Sequence, residues 1–200
     1  GPWSAPGSLG TARHGHTTTA LPDGKVLVVG GTSGAVYLAS AEIYNPASGT
    51  WGARGALSDP RAFHTATLLP NGKVLATGGQ TTGFNAVATG ELYDPVSGAW
   101  SPAVAPAMGR YGHTATLLPS GNLLVAGGQT NGGSFLASAY VYDPTTNSWN
   151  TLPNLGTARA FHTATILPNG RVLIVAGVTT GGASIATAEQ FAPGFGSWRL

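Results

Sequence analysis

His64-Thr65-Ala66-Thr67-Leu68-Leu69 is a β-branched and apolar run, and Pro70-Asn71-Gly72 follows it with turn chemistry. Proline presets φ at the first turn position and glycine accepts a positive φ at its end. Lys73-Val74-Leu75-Ala76-Thr77 then resumes the apolar pattern and stops at Gly78-Gly79. Two such runs about a short Gly-containing turn predict a tight β-hairpin. Beyond a loop, Glu91-Leu92-Tyr93 predicts a third strand, Asp94-Pro95-Val96-Ser97-Gly98 a turn, and Trp100 the start of a fourth. Pro22-Asp23-Gly24, Pro119-Ser120-Gly121 and Pro168-Asn169-Gly170 mark the same first turn elsewhere. Each unit is therefore four sequentially adjacent antiparallel strands in one twisted sheet.

The unit recurs. Tryptophan stands at positions 3, 51, 100, 149 and 198, spaced by 48 residues once and 49 three times. Repeats of about this length identify an array before any residue is given a role. Their approximate bounds are 3–50, 51–99, 100–148 and 149–200. In register with the tryptophans run His16, His64, His113 and His162, and three residues before each histidine Arg13, Arg61, Arg110 and Arg159. The one-residue length difference falls between Gly30 and Tyr44, which makes that connection a loop.

Both faces of the predicted sheet are apolar: His64, Ala66 and Leu68 point one way, Thr65, Thr67 and Leu69 the other. Such a sheet needs a neighbour on each side, and radial stacking supplies it. The fold class expected is all-β, a β-propeller of four four-stranded antiparallel blades per chain. Trp and the Tyr44, Tyr93, Tyr142 or Phe191 of each unit supply bulky contacts between blades. These residues resemble the kelch repeat over nearly the whole chain: a Gly-Gly pair after the second strand (Gly30-Gly31, Gly78-Gly79, Gly127-Gly128), then Tyr, then Trp. The fourth repeat departs, with Ala176-Gly177 for the pair and Phe191 for the Tyr. The variant HTATLLPNGKVL at residues 64–75 is similar to bacterial kelch proteins and to the propeller of galactose-oxidase-like enzymes. The resemblance implies a scaffold, adhesin, partner-binding module or occasionally an enzyme, and an extracellular bacterial setting is one it allows.

Closure has two readings. Trp3 to Leu9 reads as a fourth strand without its first three, and Trp198-Arg199-Leu200 as only the start of one, so the ends are complementary. Strand exchange between them gives either a four-bladed monomer or a homodimer in which each chain is half of an eight-bladed ring. Gly1-Pro2 reads as a protease-cleavage scar, which leaves open a truncated or engineered propeller fragment.

Composition narrows the partners. Among 200 residues there are 31 Gly and 14 Pro, suited to many short strands and turns, while only 8 % are charged. The formal net charge is +2, with Lys and Arg scattered in register, so the basic stripe that nucleic acid needs is missing. Nothing approaches the apolar run of about 20 residues that spans a membrane. With no cysteine, neither a disulfide nor a thiolate site can form.

The four register histidines raise a metal ring, since imidazole suits Zn, Cu and Ni. No carboxylate or thiolate joins them, and a structural role in the blade interfaces is the stronger reading, so no metal or other cofactor is assigned. Arg13, Arg61, Arg110 and Arg159 enter the innermost strands near one mouth of the channel, where guanidinium groups can bind an anion. Against that, Glu42, Glu91 and Glu189 recur on third strands as partners, and Tyr140 replaces the fourth, which leaves one arginine to be explained. Residues that break the repeat are the better ligand-binding candidates: His14, Asp59 and Tyr111 on the arginine loops, and Tyr37, Phe84, Asn85, Asn131 and Phe135 between second and third strands. Both loop sets fall on one face, where aromatic and amide side chains can stack on a sugar or anchor a peptide; ordinary loop drift is the alternative. Asp94 and Asp143 read as turn formers.

Enzyme readings are weaker. The copper-radical chemistry implied by the galactose-oxidase-like resemblance uses a Cys–Tyr cross-link, and there is no Cys. No serine sits in a G-x-S-x-G elbow, no phosphate loop is present, and an acid–base pair of Asp59 with His14 requires neighbouring loops to meet. No catalytic residue is assigned. The expectation is a non-enzymatic propeller acting as a binding or structural scaffold for a protein or carbohydrate partner; the alternative is a small carbohydrate-active or oxidase enzyme with its site at the channel mouth.

Overall fold

The computed structural model describes residues 7–194 and 196–199. It contains four four-stranded antiparallel sheets, each ordered as its strands follow in the chain. The first comprises Thr17–Ala20, Val26–Val29, Ala41–Asn45 and Thr50–Arg54, and the second Thr65–Leu68, Val74–Thr77, Gly90–Asp94 and Ala99–Ala103. Thr114–Leu117, Leu123–Ala126, Ala139–Asp143 and Ser148–Leu152 form the third, and Thr163–Ile166, Val172–Val175, Ala188–Ala192 and Ser197–Arg199 the fourth. The turns follow the expected chemistry: Leu69 N–H donates to Lys73 O across Pro70-Asn71-Gly72, and Asn71 Oδ1 accepts from Lys73 N–H.

One register holds the outer strands. Tyr44 pairs with Trp51, Tyr93 with Trp100, Tyr142 with Trp149 and Phe191 with Trp198. Their rings lie 5.0–5.2 Å apart and tilted. Each later tryptophan also reaches the preceding sheet, donating Nε1–H from Trp100 to Gly55 O, Trp149 to Val104 O and Trp198 to Pro153 O. The aromatic pair thus fastens two sheets as well as two strands.

The core sits in the seams. Leu27, Val29 and Ile43 meet Val74, Ala76 and Tyr93 between the first and second sheets. Leu69 and Leu75 meet Leu123, Val125 and Tyr142 in the next seam, and Leu124 and Ala126 meet Val172, Ile174 and Phe191 in the last. Each sheet covers its neighbour in the manner of propeller blades. Every seam also carries backbone bonds: Gly31, Gly79 and Gly128 N–H donate to Arg61, Arg110 and Arg159 O. That approach explains the glycine before each donor. At Gly78, φ is +64°, and a Cβ would lie 2.5 Å from Arg110 O. Only the fourth repeat has a side chain there, Ala176, at φ 60°.

The stack has two ends. Leu21, Leu69 and Leu118 are 5 %, 2 % and 5 % exposed, whereas their equivalent Leu167 is half-buried, as is Leu173 where Leu27, Leu75 and Leu124 are buried. Among the described residues no seam bond joins the fourth sheet to the first. The expected scar Gly1-Pro2 and most of the expected strand Trp3–Leu9 lie outside the described residues, as does Leu200; residues 7–9 are not in a strand.

Candidate functional site

The register arginines do not line an open site. Each guanidinium is shut inside its own sheet, with Arg61, Arg110 and Arg159 at 0–1 % exposure. Arg61 donates through Nη1 to Gly78 O and Thr89 O, through Nη2 to Thr89 Oγ1 and Glu91 Oε1, and through Nε to Asp59 O. All five of its N–H groups are thereby occupied. Arg13 and Arg159 repeat the arrangement on Glu42 and Glu189, each at 2.7 Å. The glutamates in turn accept from the loop leading to the arginine, Glu42 from Gly10 N–H, Glu91 from Ser58 N–H and Glu189 from Gly156 N–H. Among the described residues Arg110 has no carboxylate partner; its guanidinium lies over the Tyr140 ring, 4.9 Å from the centroid, a cation–π contact. An anion site on these four arginines is therefore corrected to a structural role: the positive groups face carbonyls, carboxylates and one ring.

The histidines lie in the seams. His64, His113 and His162 place Nε2 2.9 Å from the Thr17, Thr65 and Thr114 hydroxyls of the preceding sheet, the structural role in the interfaces that their register suggested. Burial, reinforced by the neighbouring arginine, pushes His64 down to about 3 and His162 to about 4, and holds His113 well below the usual range. These rings are neutral at pH 7. Among the described residues no three His, Asp or Glu side chains come together as metal ligands.

The repeat-breaking loops do meet. The arginine loop pairs with the connection between second and third strands in every sheet, through His14 with Thr32, Ala62 with Gln80, Tyr111 with Gln129 and Ala160 with Val178. Short hairpins rise from these junctions, such as Thr32–Ser33 with Val36–Tyr37 and Gln80–Thr81 with Asn85–Ala86. Between the first and second of them lies a cleft of about 390 Å³ lined by His14, Tyr37, Phe63, Gln80 and Phe84, with Thr32 and the loop glycines at its edges. Tyr37 donates its hydroxyl to Gln80 Oε1 at 3.0 Å, and the His14 and Phe63 rings meet edge-on with centroids 6.5 Å apart. Phe84 is 74 % exposed. The Tyr111 hydroxyl is pushed up by burial and, less, by nearby Tyr37, and its ring packs edge-on against Phe161 at 6.1 Å.

Other expected residues are taken up by the scaffold. Asn85 Nδ2 donates to Thr82 O within its own loop, and Asn131 Oδ1 accepts from Ala86 N–H of the neighbouring hairpin. Phe135 is half-buried in a bridge with Gln129. Asp59 accepts from Thr89 Oγ1 and lies 3.7 Å from Arg61, and among the described residues no hydrogen bond or ion pair joins it to His14.

Sequence reasoning missed Phe63, Gln80 and Phe161. Phe63 and Phe161 occupy the register position that is glycine in the first and third repeats, and all four adopt positive φ. The phenylalanine rings lie over those glycines: a Cβ on Gly15 would lie 3.0 Å from Phe63, and one on Gly112 2.8 Å from Phe161. The signal was the alternation Gly15, Phe63, Gly112, Phe161, a two-sheet period inside the one-sheet repeat. A second cleft of about 380 Å³ lies among the strand turns at the other end of the sheets, lined by Pro22, Asp23, Lys73, Asp94 and Val96. Its charges are paired, Asp23 with Lys25 of its own turn and Lys73 with Asp94 of the neighbouring turn.

The family model described as Kelch motif matches residues 12–51 and 110–156. No curated protein matches the chain significantly.

Proposed function

We propose that this chain, a member of the kelch-repeat family, is a binding module whose loop face docks a protein partner through the aromatic cleft of the first two sheets. Kelch repeats commonly serve as protein-binding scaffolds. The observation that carries the reading is the pair of exposed apolar side chains lining that cleft, Phe84 at 74 % and Phe63 at 37 % exposure. Isolated exposed apolar residues are ordinary, but a concave group of aromatics beside a few polar atoms is the anatomy of an anchor pocket. Tyr37 and Gln80 supply the polar atoms. An enzymatic reading gains little, because the strongly shifted histidines are inside the seams and not in the cleft. A carbohydrate would find the rings but few free hydrogen-bonding groups.

The test is a peptide-display selection and a glycan array run on the same protein, followed by Phe84→Ala and Tyr37→Ala. Binding peptides are expected to lose affinity by about tenfold or more, the size typical of an anchor side chain. Peptides indifferent to both substitutions, or specific binding on the glycan array alone, would reject the reading. The number of blades in the working ring is a separate matter.

A further inference from the structure

We infer that the two open faces of the stack are halves of one seam, and that a second copy of this chain completes it, head to tail, in a two-chain ring of eight sheets. Each internal seam is made by the same three links. A glycine N–H donates to an arginine carbonyl, a threonine hydroxyl meets a histidine Nε2, and backbone bonds join the loops bearing Gly15, Phe63, Gly112 and Phe161. The fourth sheet presents one half of each link in Gly177 N–H, Thr163 Oγ1 and Phe161 O. The first presents the other half in Arg13 O, His16 Nε2 and Gly15 N–H. Among the described residues no hydrogen bond to another sheet engages any of these six atoms, and the His16 ring has only the Arg13 backbone of its own loop beside it.

Two further observations fit a second copy of this chain as the occupant. The Gly, Phe, Gly, Phe alternation requires a glycine after Phe161, and Gly15 of a second copy supplies it. The resulting junction copies the internal one between the second and third sheets, where Phe63 O accepts from Gly112 N–H. In addition, the fourth sheet offers the half-buried Leu167 and Leu173, whose counterparts are buried inside every internal seam. A head-to-tail contact closes only if its rotation returns to the start, and otherwise makes filaments. The seam recurs twice in the proposed ring.

One residue fits the seam poorly. Ala176 replaces the glycine whose Cβ would stand 2.5 Å from the next arginine carbonyl, as at Gly30, Gly78 and Gly127. The covalent connection fixes an internal seam, whereas a second chain can stand off by the fraction of an ångström that a methyl needs. The intermolecular seam is therefore the weaker copy, and Ala176 sets its strength.

Sedimentation equilibrium over a wide concentration range tests this. The wild type is expected to pass from 20.0 kDa to twice that mass. Ala176→Gly tightens the dimer by about tenfold or more, a change worth about 1.4 kcal/mol. Thr18→Arg and Thr165→Arg, exposed residues on the first and fourth faces, each leave a folded monomer by circular dichroism. Mixing these two variants restores association, because one seam of the mixed pair carries neither arginine. A wild type that stays monomeric throughout, a dimer indifferent to both arginines, or rings and filaments larger than two chains would each overturn the proposal.

Discussion

Glu91 shows how much a single side chain holds. It neutralises Arg61 at 2.9 Å and accepts from Ser58 N–H, so it joins the entry loop to the third strand inside a dry sheet. Glu91→Gln leaves the buried Arg61 guanidinium with only the half-exposed Asp59 carboxylate, 3.7 Å away, as counter-charge. Loss of one partner of a buried pair costs about 3–5 kcal/mol, which urea denaturation of the variant should show. Asp23→Asn, which breaks the exposed pair with Lys25, should leave the midpoint nearly unchanged. The three seam histidines set the acid limit. Their folded values are depressed by burial, so their stabilisation is complete above the unfolded value near 6.5 and is lost as pH falls from there toward 4 and 3. Each contributes a slope approaching 1.4 kcal/mol per pH unit, about the worth of one pKa unit. Denaturation midpoints measured from pH 7 to 4 should fall steadily, and a flat profile would contradict the buried placement. The Arg–Glu pairing was legible because both members recur in register. The Thr–His link was not, since Thr17 and His64 lie 47 residues apart in different sheets and neither carries a local mark.

At the level of elements, Pro-x-Gly punctuation placed the inner hairpins and the Tyr and Trp landmarks placed the outer ones. The bonds that Trp100, Trp149 and Trp198 make to the preceding sheet connect residues 45 apart, which only the assembled stack reveals. Trp100→Phe keeps a ring against Tyr93 and removes the donor to Gly55 O. It should cost about 1 kcal/mol, the net worth of one hydrogen bond, whereas Trp100→Ala should cost about 3–5 kcal/mol through the cavity it leaves. Equal losses from the two substitutions would show that the indole N–H, and not the ring, holds the seam. The loop hairpins escaped sequence reasoning because their strands are two residues long, too short to show alternation. Phe63 escaped for another reason: a phenylalanine before an apolar strand reads as core until its positive φ is seen.

For the whole molecule, sheets stacked side by side make stability local, because each sheet is supported chiefly by its immediate neighbours. Inner sheets have two covered faces, and the fourth has one among the described residues. In dilute solution, where chains stand alone, amides of Val172–Val175 should exchange with solvent faster than those of Val74–Thr77, as hydrogen exchange read by NMR can resolve. Uniform protection would mean that the fourth sheet is covered. The stack was legible from two-sided apolar strands repeated four times. Closure was not, because it depends on the angle between sheets and on what meets the two ends.

The phenylalanines seated over Gly15 and Gly112 give the array a parity. A sheet bearing glycine at that position and a sheet bearing phenylalanine are complementary tiles, and neither tiles with its own kind. Lengthening or shortening the chain by one unit would bring two like tiles together in any closed circle, leaving a glycine bare or forcing two rings into one space. A variant of this chain carrying an odd number of such sheets should therefore assemble poorly even though every unit in it is sound.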